Sequence, residues 1–358
     1  MNYFLKHLTL VCVTVGLVMS PLVGYAGSTG STGKQKTSVK TKRIHTSIKR
    51  IKYSPSRKKV HARKSYTIGN ALPIINATDY DGTGSLILAS SKALVINQNT
   101  NEVIYAKNTN TSTPIASVTK LMTAMVVLDA ELNLDEIITI SDEDKDYLKG
   151  TSSRLSVGTQ LSRDELLHLA LIASENRAAS ALATSYPGGK AKFISDMNIK
   201  AMSLGMMNTR FRDSTGLSSD NVSTAEDLAK MVSAAYSYGL IREITTTGSY
   251  DVFLPSHRGP THFNNTNLLV RNNNSEWEIG LSKTGYISEA GRCLVMQAKL
   301  VGEPVIIVLL DSDGKYTRIG DANRVRKWVE HNIVSRANPE PEEAITIDEE
   351  PITVGQMY

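Results

Sequence analysis

The sequence predicts an α+β fold in which an antiparallel sheet, flanked by helices, packs beside an all-helical subdomain. Three observations favour this class. A hairpin pattern begins the folded body, a run of helical patterns follows, and a second hairpin and a terminal helix end it. This order places strands from both ends of the body in one sheet. With 358 residues and 41% hydrophobic residues, the chain can bury a substantial core.

The first 26 residues have the pattern of a secretory signal peptide. Lys6 precedes an apolar run over 8–22, and residues 24–26 supply a small-residue cleavage site. The apolar run is short for a membrane span of about 20 residues. An uncleaved anchor is the alternative interpretation. We therefore expect secretion across the inner membrane and a periplasmic location.

Residues 27–84 are expected to form a basic, disordered linker. Between 27 and 66 there are thirteen Lys or Arg residues and no acid, in a Ser- and Thr-rich setting that cannot form a core. A solvated linker is the simplest interpretation, and contact with an anionic surface is the functional one. Nucleic acid is not an expected partner of an exported protein.

The body is expected over 85–337, and residues 338–358 read as an acidic, flexible tail. The first hairpin joins 93–96 to 103–106 through the polar turn 97–102. Pro114 ends this region, and a buried helix follows it. A Ser162-Arg-Asp-Glu165 capping box begins a second buried helix. Further helices are expected at about 176–185, 189–204 and 224–238, the last capped by Thr224 with Asp227.

After residue 245 the patterns become strand-like. A short strand is expected over 281–286, and a hairpin joins 293–300 to 305–310. A last helix is expected over 321–334, because its apolar residues form one stripe. Two cysteines and scattered histidines give no metal-ligand spacing, so we expect neither a metal site nor a cofactor.

Ser117 and Lys120 are the first candidates for chemistry. They are three residues apart at the start of an apolar helix, so their side-chain tips can meet. Burial lowers the pKa of an amine, and a neutral amine can take the proton of a serine nucleophile. The chain has four Ser-x-x-Lys sequences, but only this one opens an apolar helix.

Two further motifs complete a constellation. The chain resembles the penicillin-recognising serine D,D-peptidases, whose three motifs are Ser-x-x-Lys, Ser-Asp-Asn and Lys-Thr-Gly. The resemblance covers about 85–335 and is closest to the low-molecular-mass D-alanyl-D-alanine peptidases, above all the soluble endopeptidases, through 114–123 and 213–217. The motifs stand here as Ser117-Val-Thr-Lys120, Ser174-Glu-Asn176 and Lys283-Thr284-Gly285.

The second motif departs from the family pattern, because Glu175 replaces Asp. A literal Ser219-Asp220-Asn221 also occurs. We prefer Ser174, because it ends a buried helix at a distance from Ser117 that resembles the family's. Ser219 lies in a polar turn, where such a cluster has an ordinary structural role.

The resemblance implies a role for each residue. Ser117 would be the nucleophile, Lys120 the general base and Ser174 a proton relay. The backbone N–H groups of Ser117 and Tyr286 would form the oxyanion hole. The other substrate-binding residues would be Asn176, Lys283 as a fixed cation, Thr284, and Gly285, which leaves room for a substrate strand.

The function implied is hydrolysis of D-alanyl-linked cross-links between peptidoglycan stem peptides, with β-lactam antibiotics as inhibitors. The short acidic stretch after residue 334 favours a D-alanyl-D-alanine endopeptidase over a carboxypeptidase, which is the main alternative. A serine β-lactamase would need a carboxylate for the deacylating water, and no acid lies in the expected signature. A non-catalytic wall-binding protein is the alternative from another class, and the intact motifs disfavour it.

Overall fold

The computed structural model describes residues 86–255, 258–272 and 276–337. The expected signal peptide, basic linker and acidic tail lie outside the described residues, and they remain predictions. No helix in these three ranges is both long enough and apolar enough to span a membrane.

In the part of the chain that the structure describes, a five-stranded antiparallel sheet forms the centre and three two-stranded ribbons lie outside it. In spatial order the central sheet is β2-β1-β11-β10-β9, so its strands come from both ends of the body as expected. The strands are β1 (Lys92–Asn97), β2 (Val103–Lys107), β3 (Thr113–Pro114), β4 (Ile137–Thr139), β5 (Gln160–Ser162), β6 (Val222–Ser223), β7 (Ser249–Phe253), β8 (Pro260–Asn264), β9 (Glu278–Ile287), β10 (Gly291–Leu300) and β11 (Glu303–Ser312).

Helices cover both faces of the central sheet, and most of them form the subdomain between β2 and β9. They are α1 (Lys120–Asp129), α2 (Arg163–Ile172), α3 (Asn176–Thr184), α4 (Gly189–Ser203), α5 (Ala225–Tyr236), α6 (Gly239–Thr246), α7 (Leu268–Arg271) and α8 (Thr317–Ala337). The α+β class and the all-helical subdomain are therefore confirmed.

The two faces of the sheet belong to two apolar cores, because successive side chains of a strand point in opposite directions. Leu94, Val295 and Val308 are neighbours on one face and pack against the helical subdomain. Val95 and Ile307 lie on the other face, where α8 covers them. Each central strand is thus buried on both sides, which fixes its register.

Local signals in the sequence placed several helix ends correctly. Ser162 Oγ accepts a hydrogen bond from the N–H of Glu165 at 3.1 Å, and the Glu165 carboxylate accepts from the N–H of Ser162. Thr224 caps α5 through the N–H of Asp227 at 3.1 Å. These contacts satisfy N–H groups that the first helical turn leaves without a partner.

Two helix starts differ from the expectation. Ser117 lies in a 3-10 turn over Ala116–Thr119, and the α-helix proper begins only at Lys120. The last helix begins at Thr317, four residues before the expected start. A polar first turn hid this start, because the apolar stripe begins further along the helix.

Candidate active site

A pocket opens where the helical subdomain meets β9, which is the edge strand of the central sheet. Six of the eight predicted site residues line it directly, and two residues that the sequence did not single out join them. The lining is Ser117, Ser174, Asn176, Thr266, Thr284, Gly285, Tyr286 and Arg318. Lys120 and Lys283 lie behind this surface, and both are fully buried.

Lys120 is held next to Ser117 by three polar contacts. Its Nζ lies 2.9 Å from Ser117 Oγ and donates hydrogen bonds to Asn176 Oδ1 at 2.8 Å and to the carbonyl of Thr215 at 2.6 Å. The 3-10 turn creates this proximity, because residues three apart eclipse each other in such a turn. The amine therefore points at the serine oxygen in one fixed geometry.

The charge state of Lys120 follows from its surroundings. Complete burial lowers the pKa of the amine to about 7, against the opposing effects of the carboxylates of Asp213 and Glu175. At neutral pH a substantial fraction of the amine is consequently unprotonated. A lysine in this state can accept a proton from an adjacent hydroxyl.

Ser174 lies on the connection between α2 and α3. Its φ of 60° is in the left-handed region, which a residue other than glycine adopts at an energetic cost. Ser174 Oγ accepts a hydrogen bond from Lys283 Nζ at 2.9 Å. Burial and the charges of Lys120 and Arg318 lower the pKa of Lys283 well below its usual value.

Glu175, which departs from the family motif, faces away from the pocket. Its carboxylate accepts a hydrogen bond from Ser153 Oγ at 2.7 Å and lies 3.7 Å from Arg154. The middle residue of the motif therefore connects this corner to the loop before α2. A longer carboxylate is accommodated there without entering the site.

β9 approaches Ser117 very closely at Gly285. A Cβ atom at this position would lie about 3.0 Å from the carbonyl of Ile115 and 3.1 Å from Ser117 N. Glycine is therefore the residue that lets the strand edge lie against the serine. Thr284 and Tyr286 flank it, and Thr284 Oγ1 donates a hydrogen bond to Thr266 Oγ1 at 2.7 Å.

A turn at 213–218 packs against the segment that carries Ser117 and Lys120. The carboxylate of Asp213 accepts hydrogen bonds from the N–H groups of Thr215 at 2.6 Å, Gly216 at 2.5 Å and Ser218 at 2.7 Å. Gly216 has a φ of +82°, and a Cβ there would lie 2.0 Å from the carbonyl of Ala116. Asp213 and Gly216 together bring the Thr215 carbonyl within reach of Lys120.

The literal Ser219-Asp220-Asn221 has a different place. Asn221 is fully buried, and its Oδ1 accepts from the N–H of Arg212 at 2.7 Å and of Asp213 at 3.1 Å. Its Nδ2 donates to Thr119 Oγ1 at 3.0 Å. Asn221 therefore braces the turn at 213–218, and Ser174, rather than Ser219, lines the pocket.

Arg318 is the basic residue that lines the pocket. It is 9% exposed, and within the described part of the chain its Nε has no hydrogen-bond partner. Burial and the charge of Arg292 lower its pKa to about 10, so it stays charged at neutral pH. A charged guanidinium on the wall of a pocket is a candidate partner for an anion such as a carboxylate.

Sequence reasoning missed Arg318, Thr266 and the function of the turn at 213–218. Arg318 lies in the polar first turn of α8, and Thr266 lies in the connection from β8 to α7. Neither belongs to a motif. A hydrogen bond with Thr284 holds Thr266 at the pocket, and the packing of α8 against β10 and β11 brings Arg318 there. In the three described ranges, no group of three or more His, Cys, Asp or Glu residues is placed to hold a metal ion.

Comparison with known proteins gives the family. The model of the D-alanyl-D-alanine carboxypeptidase family matches residues 81–314. A D-alanyl-D-alanine endopeptidase from Pseudomonas aeruginosa is 49% identical over 69% of this chain and 79% of its own length. A protein of the same name from Escherichia coli is 48% identical over 68% of this chain and 78% of its own length.

Solved structures agree with the sequence relatives. The Streptomyces K15 DD-transpeptidase has a TM-score of 0.62 and 32% identity, and the match covers 68% of this chain and 97% of that one. The family match spans more than half of the chain and contains the pocket residues from Ser117 to Tyr286. This chain therefore belongs to the D-alanyl-D-alanine carboxypeptidase family of serine D,D-peptidases.

Proposed function

We propose that this chain is a hydrolase that cleaves D-alanyl peptide bonds of peptidoglycan through an acyl-enzyme on Ser117. One observation carries the proposal. A fully buried amine, with its pKa lowered to about 7, lies 2.9 Å from the oxygen of a serine that lines an open pocket. This is the arrangement that an activated nucleophile requires.

The reaction begins when neutral Lys120 accepts the proton of Ser117 and the serine oxygen attacks the D-alanyl carbonyl. The backbone N–H groups of Ser117 and Tyr286 are the proposed donors to the oxyanion. Collapse of the tetrahedral intermediate breaks the C–N bond, and the amine leaves with a proton. Water then hydrolyses the ester and regenerates the free serine.

Ser174 and Lys283 are proposed to deliver the proton to the leaving amine. Ser174 Oγ lies on the pocket surface and is hydrogen-bonded to the buried Lys283 amine. Asn176 accepts from Lys120 with Oδ1 and so fixes the base beside the nucleophile. The strained φ of Ser174 is consistent with a residue that is held in place for function.

The proposed anchor for the substrate carboxylate is Arg318, with Thr284 beside it. Lys283 was the expected cation, but its amine is buried and bonded to Ser174 and to the carbonyl of Thr284. Arg318 lines the pocket and stays charged at neutral pH, because its pKa is about 10. A D-amino acid that carries a free carboxylate next to the scissile bond would pair with this charge.

The endopeptidase reaction is the preferred form of this activity. The two relatives at 48–49% identity are both named D-alanyl-D-alanine endopeptidase, whereas a carboxypeptidase from Bacillus subtilis is 32% identical. Both reactions use the same acylation chemistry and differ in the leaving group. A cross-linked muropeptide dimer and a monomeric pentapeptide should therefore be supplied separately to the purified protein. Release of monomers supports the endopeptidase, and release of D-alanine alone supports the carboxypeptidase.

The proposal also covers the location of the protein, the surface that it contacts and its inhibitors. Periplasmic location follows from the signal-like first 26 residues and from a substrate that lies outside the cytoplasm. Contact of residues 27–66 with an anionic surface stays a proposal based on their charge. β-Lactams are the proposed inhibitors, because they can acylate the same serine and carry an acid group for Arg318.

The pH dependence of acylation should report on Lys120. Because the neutral amine is the active form and its pKa is about 7, the rate constant for acylation by benzylpenicillin should rise with pH up to about 7 and then level off. In Asp213→Asn the loss of a nearby negative charge should lower the pKa of Lys120. The rising part of the pH profile should therefore move to lower pH, and the plateau rate constant should fall. Stopped-flow measurements with a fluorescent penicillin between pH 5 and 9 would test both points.

Asp220→Asn is the matched control for that experiment, because it removes an exposed carboxylate from the same segment. Its pH profile should coincide with the wild-type profile. If the rising part of the pH profile stays at the same pH in Asp213→Asn, the Asp213 carboxylate does not influence the pKa of Lys120.

Arg318→Gln should lower kcat/KM for peptides that end in a free D-alanine carboxylate by about 10- to 100-fold, the usual value of a charge-assisted hydrogen bond. Arg318→Lys should recover part of the loss. A substrate with a C-terminal amide serves as the control, because it should be poor for the wild type and equally poor for the variant. A loss that is the same for both substrates would contradict the assignment.

A further inference from the structure

The groove along β9 is closed at one end by buried contacts. Thr284 Oγ1 is hydrogen-bonded to Thr266 Oγ1, and Ser282 Oγ lies 3.5 Å from the carbonyl of Thr245. Ser282 and Thr284 are both buried. This end lies beside Arg318, the proposed anchor for the carboxylate next to the scissile bond. With the carboxylate held there, the acyl part of an extended substrate leaves the groove past Tyr286.

The other end is crossed by a short loop over residues 149–151, here called the crossing loop. On the helical side Thr151 Oγ1 accepts a hydrogen bond from Asn176 Nδ2 at 3.1 Å. On the sheet side the Lys149 amine donates to the carboxylate of Glu289, which follows the end of β9. The crossing loop therefore joins the two walls of the groove beyond Tyr286.

The crossing loop has an ordered backbone of its own. The carboxylate of Asp146 accepts hydrogen bonds from the N–H groups of Leu148, Lys149 and Thr151, each at 2.9 Å, and from Thr151 Oγ1 at 2.6 Å. These bonds hold the backbone of the crossing loop independently of the ion pair. The ion pair with Glu289 can therefore open while the loop keeps its shape.

The strength of the ion pair sets how easily this end opens. The side chains of Lys149 and Glu289 are 24% and 42% exposed. An ion pair in such a position changes an equilibrium by about fivefold at most. The closed form is thus favoured, but a ligand can displace it at small cost.

Large apolar side chains are exposed next to the crossing loop and on β9. Tyr147 and Leu148 precede the crossing loop and are 77% and 64% exposed, and Tyr286 on β9 is 57% exposed. Apolar side chains gathered at the rim of a groove are typical of ligand-contacting surfaces. They offer contacts to the aliphatic part of a peptide that passes between them.

We infer that the Lys149–Glu289 ion pair is a specificity-determining element that a long acyl peptide must open and a short one does not reach. β9 continues for only two residues after Gly285 before the turn that carries Glu289. A peptide extended along this edge meets the pair within about three residues of the reactive carbonyl. The ligand is a complete stem peptide, so the inference rests on the proposed D,D-peptidase function.

The test is a length series of N-capped peptides that end in D-alanyl-D-alanine, with one to five residues before the scissile bond. In Glu289→Gln, kcat/KM should rise by about two- to fivefold for the peptides with four or five residues and stay unchanged for the shortest. The charge-swapped pair Lys149→Glu with Glu289→Lys should return the wild-type length profile. High salt, about 1 M NaCl, should bring the wild type toward the variant.

Glu278→Gln is the matched control, because it removes an exposed ion pair with Lys299 at the opposite end of β9. Its length profile should equal that of the wild type. Acylation by benzylpenicillin should be the same in all variants, and its absence in the wild type would refute the proposed function instead. The inference would be overturned if Glu289→Gln left the dependence of kcat/KM on peptide length unchanged, or if it lowered kcat/KM for the long peptides.

Discussion

Ser117→Ala is expected to abolish covalent labelling by penicillin and to lower peptide hydrolysis by about 10⁴-fold or more. The reason is chemical, because the variant lacks the only oxygen that Lys120 Nζ is placed to activate in the described pocket. Its fold should persist, since the serine hydroxyl is not part of the apolar core. Intact-protein mass spectrometry after benzylpenicillin would show no added mass, and the thermal unfolding midpoint would stay close to the wild-type value.

Ser219→Ala is the control for this experiment. It removes the serine of the alternative Ser-Asp-Asn motif, which does not line the pocket. The control should acquire the penicillin adduct at the wild-type rate, and digestion should locate that adduct on the peptide containing Ser117. An adduct on the Ser117→Ala protein would show that another residue is the nucleophile.

Replacement of Lys120 is expected to have the second largest effect. Lys120→Met keeps most of the length of the side chain but removes the base, which typically costs 10²- to 10⁴-fold in rate. Lys120→Arg keeps a positive charge but cannot become neutral near pH 7. If the amine acts as a base, both variants should be acylated about 10³-fold more slowly. In neither variant should the acylation rate constant still rise with pH near 7.

The pair of variants separates two roles for Lys120. A positive charge that only attracts the substrate would survive in Lys120→Arg, and that variant would then remain fast. The measurement is the second-order rate constant for acylation by a fluorescent penicillin. Circular dichroism would show that both proteins are folded, because Met and Arg differ in how they fit a fully buried position.

Local patterns predicted much of this fold correctly. The capping box at Ser162 and the Thr224 cap fixed the starts of α2 and α5, because a cap uses side chains within one turn of the helix. The hairpins β1–β2 and β10–β11 have apolar strands around polar turns. The predictions were wrong in detail at Ser117, which lies in a 3-10 turn, and at the start of α8, which comes four residues early. An apolar pattern does not distinguish a 3-10 turn from an α-helix, and it does not mark a polar first turn.

The turn at 213–218 shows where sequence reasoning stopped. Its residues were recognised as part of a resemblance, but nothing in their order indicates that the Thr215 carbonyl accepts from Lys120 at 2.6 Å. That contact joins residues 95 positions apart. It depends on Gly216, whose lack of a Cβ lets two backbone segments touch.

The amino-acid sequence alone predicted the fold class, the three motifs and the candidate nucleophile and base, because these depend on spacing within single elements. The tertiary structure alone decided which cation faces the pocket. Lys283 was expected there, but it is buried behind Ser174, and Arg318 lines the pocket from a helix that no motif marks. Burial and distance between remote segments set the pKa and accessibility of a charged group, and neither quantity can be obtained from the order of residues.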